Sequence, residues 1–147
     1  GNEKVKKEGL QDVISFSLEA ATKMSFPDNS FDIITSSFGI RNFENLDAAL
    51  QEMNRVLRPD GVVAILELSD PVSFPMKQLF EIYSHLVLPT LGTAIARNKK
   101  SYNYLVHSID AFPQGEVMTE IVKKAGFKKV SFKRLKFGIC TLYIISK

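Results

Sequence analysis

The chain has 147 residues, 45% hydrophobic and 24% charged, with a formal net charge of +3. That is one domain's worth of core, and it excludes a disordered or low-complexity chain, because so much apolar surface can be buried on folding. A single cysteine, Cys140, excludes an internal disulfide and argues against a cysteine zinc site, and two isolated histidines, His85 and His107, form no metal-ligand pattern. No metal is expected.

Taken in order, Asn2 to Glu8 has the charge density of the last turns of a helix, with Glu3, Lys4, Lys6, Lys7 and Glu8 on a solvated face and Gly9 as its stop. Val13 to Leu18 is a short β-rich run, Ala20 to Ser25 a loop, and Phe26-Pro27-Asp28-Asn29-Ser30 strong turn chemistry. Phe31 to Ser36 mixes β-branched and apolar residues without alternation, the pattern of a strand covered on both faces. From Asn45, a suitable N-cap, Leu46, Ala49, Leu50, Met53, Val56 and Leu57 keep a helical period. Arg58-Pro59-Asp60-Gly61 stops that helix and Val62 to Leu68 reads as the next central strand, so strand, helix and strand imply a right-handed crossover with parallel pairing.

Met76, Leu79, Phe80, Tyr83, Leu86 and Val87 recur at helical spacing, predicting an amphipathic helix that breaks near Pro89 to Gly92. Helices over Tyr102 to Asp110 and Gln114 to Lys124 follow, the latter stopped by Gly126. His85 and His107 read as plain helix residues. Val130 to Leu135 and Ile139 to Ser146 predict an antiparallel hairpin with Phe137-Gly138 at the turn and Cys140 as a buried strand thiol. The whole is a single α/β domain.

No secretory or transit signal is visible, and the longest charge-free run, Ile82 to Ala96, is shorter than the roughly 20 residues a membrane span needs. The chain is expected to be cytoplasmic. No acidic residue follows Glu120, whereas lysines continue from Lys123 to Lys147. This bias reads first as a solvated face, with peripheral contact at the inner face of a membrane as its functional use. No aromatic or glycine pattern of a nucleic-acid module interleaves it, so no nucleic acid is expected.

The candidate site is Ser36-Ser37-Phe38-Gly39-Ile40-Arg41-Asn42-Phe43. In an open α/β sheet ligands sit outside the carboxyl ends of the strands, where Ser37, Gly39, Arg41 and Asn42 would lie. Gly39 permits a tight turn, while Arg41 and Asn42 bring a fork of donors and an amide. Spacing alone equally describes a strand-to-helix loop with a surface arginine.

The stretch from Phe26 to Gly61 resembles the ubiquinone/menaquinone biosynthesis C-methyltransferases, a branch of the class I S-adenosylmethionine-dependent methyltransferases. Phe38-Gly39-Ile40-Arg41-Asn42 is specific to that branch, and Arg55-Val56-Leu57-Arg58-Pro59-Asp60-Gly61 is commoner in the class. Similarity continues through Leu66-Glu67-Leu68-Ser69-Asp70-Pro71, Tyr83-Ser84-His85, Ser101-Tyr102-Asn103-Tyr104-Leu105 and Ala125-Gly126-Phe127. The resemblance implies a partial Rossmann-like sheet: the fourth, fifth, seventh and sixth strands with flanking helices and the C-terminal hairpin, the first two strands and the glycine loop missing. The eight glycines never fall as GxG. Residues 1–25 are then expected to be displaced or swapped, and 72–112 to form a helical insertion over the substrate side. The open edge of the Phe31 to Ser36 strand would suit a homodimer.

The resemblance also implies roles. Ala20, Ala21 and Ser37 match cofactor contacts for S-adenosyl-L-methionine, in a site incomplete in this chain; relatives usually carry Asp or Asn where Ala20 stands. Arg41 and Asn42 are the catalytic candidates, orienting a substrate oxygen or water. Phe38, Gly39, Tyr83, Tyr102 and Tyr104 would contact the substrate, a lipophilic polyprenylated quinol. The expected reaction is C-methylation of that quinol by the full-length protein, this piece alone being inactive. The alternatives are an O-methyltransferase of the same fold and a noncatalytic quinone-binding or assembly module.

Overall fold

A computed structural model describes residues 1–87 and 99–147, the second stretch with side chains from residue 104 onward. Its elements are α1 (Asn2–Lys7), β1 (Phe31–Ser37), α2 (Leu46–Val56), β2 (Leu57–Leu68), α3 (Met76–Ile82), α4 (Lys99–Ala111), α5 (Glu116–Lys124), β3 (Lys129–Leu135) and β4 (Cys140–Ser146). Short 3-10 turns cover Ile40–Asn42 and Lys136–Gly138, and a π turn continues α3 over Tyr83–Val87. The break expected near Pro89 to Gly92 lies outside the described residues.

Among the described residues the sheet has four strands in the order β1-β2-β4-β3. β1 and β2 are parallel, joined through α2, and β4 runs antiparallel to both β2 and β3. α2 starts where its N-cap dictates, since the Asn45 side chain accepts from the Ala48 amide at 3.0 Å. The β3–β4 hairpin turns through Phe137 and Gly138 at φ of 60° and 98°.

Three expectations about the strands change. β2 begins at Leu57 rather than Val62: Phe31 pairs with Leu57 and Ile33 with Val62, so Arg58-Pro59-Asp60-Gly61 loops out of one continuous strand. The turn chemistry is real, but it makes a bulge inside the ladder. Gly61 is required where the bulge rejoins, because a Cβ there would lie 2.6 Å from Leu57 Cγ and 2.9 Å from the Asp32 carbonyl oxygen. Second, Val13 to Leu18 forms no strand; the run is exposed and irregular, and among the described residues no strand lies beside it to complete its hydrogen bonds. Third, β1 is not covered on both faces, and Ile33 is 66% exposed.

The reason is a one-sided layer. Leu50 and Met53 of α2 and Met118 and Val122 of α5 are buried together with Val63 and Ile65 of β2 and Tyr143 and Ile145 of β4. Strand side chains alternate faces, so the same face of β2 continues to Glu67 and that of β4 starts at Thr141, both buried. Tyr143 fills the centre; its hydroxyl accepts from the Gly115 amide at 2.8 Å, which fixes the start of α5. Burial pushes its phenol pKa up. Cys140 is free and half-buried rather than fully enclosed.

The segment before β1 is fastened to α2 by one arginine. Arg55 donates to the Met24 and Phe26 carbonyls, to Asp28 and to Glu52, and Glu52 also accepts from the Met24 amide. Hydrogen bonds from Arg55 first, and then from the Met24 amide, lower the Glu52 carboxyl from 4.5 to about 2. A carboxylate with a depressed folded-state pKa stabilises fully above its ordinary value and loses that contribution as the pH falls through the folded value. Denaturant stability should therefore decline between pH ~4.5 and ~2, and Glu52→Gln should flatten that decline.

Candidate functional site

β1 ends where the chain must leave the sheet, and the following turn is set by one apolar anchor. Ile40 is 1% exposed, so the Ile40–Asn42 turn is pressed onto the helix-covered face and Arg41 is carried over the carboxyl end of β2. There it meets Glu67, fully buried because strand parity places it on the same face as Val63 and Ile65. Arg41 Nη1 donates to Glu67 Oε1 at 2.5 Å and to the Phe38 carbonyl at 2.8 Å, and its backbone amide donates to Glu67 Oε2 at 3.3 Å. Arg41 Nε donates to Ser108 Oγ on α4 at 3.3 Å. The Ser108 hydroxyl spends its own proton on the Leu105 carbonyl at 2.8 Å, which leaves it an acceptor toward Arg41.

α4 supplies a second tie, as the Tyr104 hydroxyl donates to Asn42 Oδ1 at 2.9 Å. The amide nitrogen of Asn42 is then the end left to act as donor. Arg41, Tyr104, His107 and Ser108 line one open cleft of about 440 Å³, with Ile40, Phe43 and Phe112 among its apolar walls. A second cavity of about 390 Å³ lies beyond β2, lined by Asp70, Lys77, Phe80, Glu81, His85 and Asp110. Asp70 clasps Gln114 by its amide and carboxylate at 2.8 and 3.1 Å. Burial raises its carboxyl pKa, the Gln114 bond opposes this, and Asp110 adds to the rise.

The structure thus brings Arg41, Asn42 and Tyr104 together. Phe38 belongs to the same turn: it has φ of 55°, is 42% exposed, and hands its carbonyl to Arg41. Gly39 precedes the 3-10 turn as its N-cap. Ser37 is exposed at the end of β1. Tyr83 is exposed at the start of the π turn and lines neither cavity described above. The side chain of Tyr102 lies outside the described residues. Ala20 is exposed and Ala21 half-buried in a loop closed by a bridge from Ala20 to Lys23. Beside them, Glu19 accepts from Ser17, the Ser25 amide and the Ser25 hydroxyl, so its carboxylate is committed within the loop. Sequence reasoning missed Glu67, Ser108 and His107 as parts of this site. For Glu67 a signal existed, since a carboxylate inside an apolar strand is almost never buried without a partner.

A sheet in this order, with polar groups gathered at the carboxyl ends of its parallel strands and a C-terminal antiparallel hairpin, defines part of a class I methyltransferase fold. Solved methyltransferases share it. A possible histamine N-methyltransferase from Thermotoga maritima superposes with a TM-score of 0.58 at 19% identity, over 95% of this chain and 68% of that one. Phosphoethanolamine N-methyltransferase 2 from Haemonchus contortus, in complex with S-adenosylhomocysteine, gives 0.65 at 15% identity, over 99% and 39%. The chain matches the ubiE/COQ5 methyltransferase family over residues 1–147 and belongs to that family. It is 56% identical over 147 residues to the demethylmenaquinone methyltransferase of Bacteroides fragilis, covering all of this chain and 60% of that protein. It is 41% identical over 143 residues to the mitochondrial 2-methoxy-6-polyprenyl-1,4-benzoquinol methylase of Bos taurus, covering 97% of this chain and 43% of that protein.

The family and fold imply S-adenosylmethionine as methyl donor. The residues present do not fit the whole of it: no GxG loop occurs, Ala20 offers no side-chain acceptor, and Glu19 is turned to its serines. Of the three expected cofactor residues, that leaves Ser37 and the backbone near Ala21 as candidates. Among the described residues, no helix is long and apolar enough to cross a membrane.

Proposed function

We propose that these residues are the substrate-side part of a full-length enzyme that C-methylates a polyprenylated quinol, a demethylmenaquinol or a ubiquinol precursor, with S-adenosylmethionine as donor. The observation that carries this reading is the meeting of Arg41 and Tyr104 at one cleft outside the carboxyl ends of β1 and β2, with Asn42 hydrogen-bonded to that tyrosine. Relatives whose names specify quinol methylation, at 56% and 41% identity, support the acceptor class.

The donor supplies an electrophilic methyl; the residues here supply orientation. Arg41 holds a quinol oxygen by hydrogen bond and stabilises the negative charge that makes the neighbouring ring carbon nucleophilic. Asn42, held by Tyr104, orients that oxygen or the water that removes the ring proton. Arg41 itself stays protonated, since its pKa is far too high for a base. α3, the π turn that continues it and α4 cover the ring and the start of the prenyl tail, and the exposed apolar residues Leu79, Ile82 and Tyr83 of α3 and the π turn meet the lipid from which the tail is drawn. The open edge of β1, with the apolar hollow of Phe26, Phe31, Ile33 and Ile34 beside it, receives the enzyme's own first strands rather than a second copy.

The test is transfer of labelled methyl to a short-chain demethylated naphthoquinol. The full-length enzyme should transfer it to carbon and the 147-residue chain alone should not, nor should that chain give saturable heat with S-adenosylhomocysteine. Product carrying the label on oxygen would establish the O-methyltransferase instead. No transfer by the full-length protein, with quinone still bound, would leave the noncatalytic module.

A further inference from the structure

Glu67 has no part in the roles above, yet it is the most completely enclosed carboxylate in the described structure, at 0% exposure. All its hydrogen bonds are internal: Oε1 accepts from Arg41 Nη1 at 2.5 Å and from the Leu68 amide at 2.9 Å, and Oε2 accepts from the Arg41 amide at 3.3 Å. It therefore touches neither solvent nor cleft and cannot serve as a base for substrate. Burying an ion pair is weak evidence for stability, because the loss of hydration offsets the attraction. What such a pair does supply is geometry.

The donor count of Arg41 states what that geometry is. A guanidinium has five N–H groups in a fixed plane. Three are used: Nε on Ser108, and Nη1 on Glu67 and on the Phe38 carbonyl. The two on Nη2 have no hydrogen-bond partner among the described residues, while the residue lines the cleft with Tyr104 and Ser108. Because the plane is rigid, fixing one edge fixes the direction of the other. Glu67 also grips the backbone amide of Arg41, so the turn and the side chain are set by one group.

We propose that Glu67 is a positioning residue, which holds Arg41 with Nη2 presented to the quinol oxygen and balances its charge so that the cleft offers hydrogen-bond donors rather than a net cation. This deepens the methyltransferase reading and rests on it. It also accounts for the pairing of an arginine from the exit of β1 with a carboxylate from the exit of β2, two elements about 26 residues apart in sequence that only a parallel register brings together.

The test is a double-mutant cycle in the full-length enzyme with a short-chain demethylated naphthoquinol. Glu67→Gln keeps the shape and removes the charge; it should lower kcat by about 100-fold with little change in KM for the methyl donor. In the Arg41→Ala background the same substitution should cost less than about threefold, since there is no guanidinium left to aim. Multiplicative losses would overturn the proposal and leave Glu67 a purely structural group. Should Glu67→Gln fail to fold, Ser108→Ala decides: it frees Nε without burying a charge, and should lower kcat by about tenfold alone and not at all beside Arg41→Ala. A readout independent of turnover is the nitrogen-15 signal of Arg41 Nε–H, which should exchange slowly with water in the unsubstituted protein and rapidly in Glu67→Gln or Ser108→Ala. A protected signal with no methyl transfer would reject the activity and keep the positioning. A fast-exchanging signal in the unsubstituted protein would reject the positioning whatever the activity.

Discussion

Replacing Arg41 by Ala in the full-length enzyme should lower kcat by about 10²–10³-fold, the scale expected when a donor to a developing negative charge is removed. Affinity for S-adenosylhomocysteine should stay within about twofold, because the proposed role of Arg41 is toward the substrate and not the cofactor. The substitution also strands Glu67, a carboxylate at 0% exposure, and breaking a buried pair from one side costs about 3–5 kcal/mol. Arg41→Lys separates the two effects. It keeps a positive charge for Glu67, so the urea midpoint should recover much of the loss, but a single ammonium cannot serve Glu67, Phe38 and Ser108 while facing the cleft. The rate should therefore stay low. A fully active Arg41→Lys enzyme would mean that charge alone matters and the planar fork does not.

Ile65→Ala should be the most damaging of the simple core truncations, costing about 3–4 kcal/mol and lowering Tm by about 10 °C in calorimetry. Ile65 is at 0% exposure on β2, flanked by β1 and β4 and covered by α2 and α5, so the hole left behind has rigid walls on every side. Ile33→Ala gives the contrast. Ile33 is 66% exposed on β1, and in the 147-residue chain its truncation should change stability by less than about 0.5 kcal/mol. In the full-length enzyme, where the proposal covers this edge with further strands, the same change should cost about 2 kcal/mol. Equal small effects in both would argue against covering of that edge.

The elements were largely legible because each carries its own local signal. Asn45 followed by an apolar stripe at helical spacing, the Val62 to Leu68 run, and Phe137-Gly138 between two β-rich segments gave α2, β2 and the hairpin without any tertiary information. Where local and tertiary signals part, the reading went astray. Arg58-Pro59-Asp60-Gly61 has the chemistry of a turn between elements, but the ladder closes on both sides of it and makes it a bulge. Val13 to Leu18 has strand composition but pairs with no strand among the described residues.

For the site, the sequence by itself determined the family, through Phe38-Gly39-Ile40-Arg41-Asn42, and pointed to Arg41 and Asn42, because a glycine, an arginine and an amide at a strand exit are a local pattern. Tyr104 it could offer only through resemblance. What the tertiary structure alone decided is who holds whom: Glu67 under Arg41, Ser108 on Nε and Tyr104 on Asn42. Those partners lie 26, 67 and 62 residues away along the chain. Local propensity carries no information about such pairs; strand register and the one-sided helix layer do, because they fix which face each side chain occupies and which carboxyl ends lie side by side.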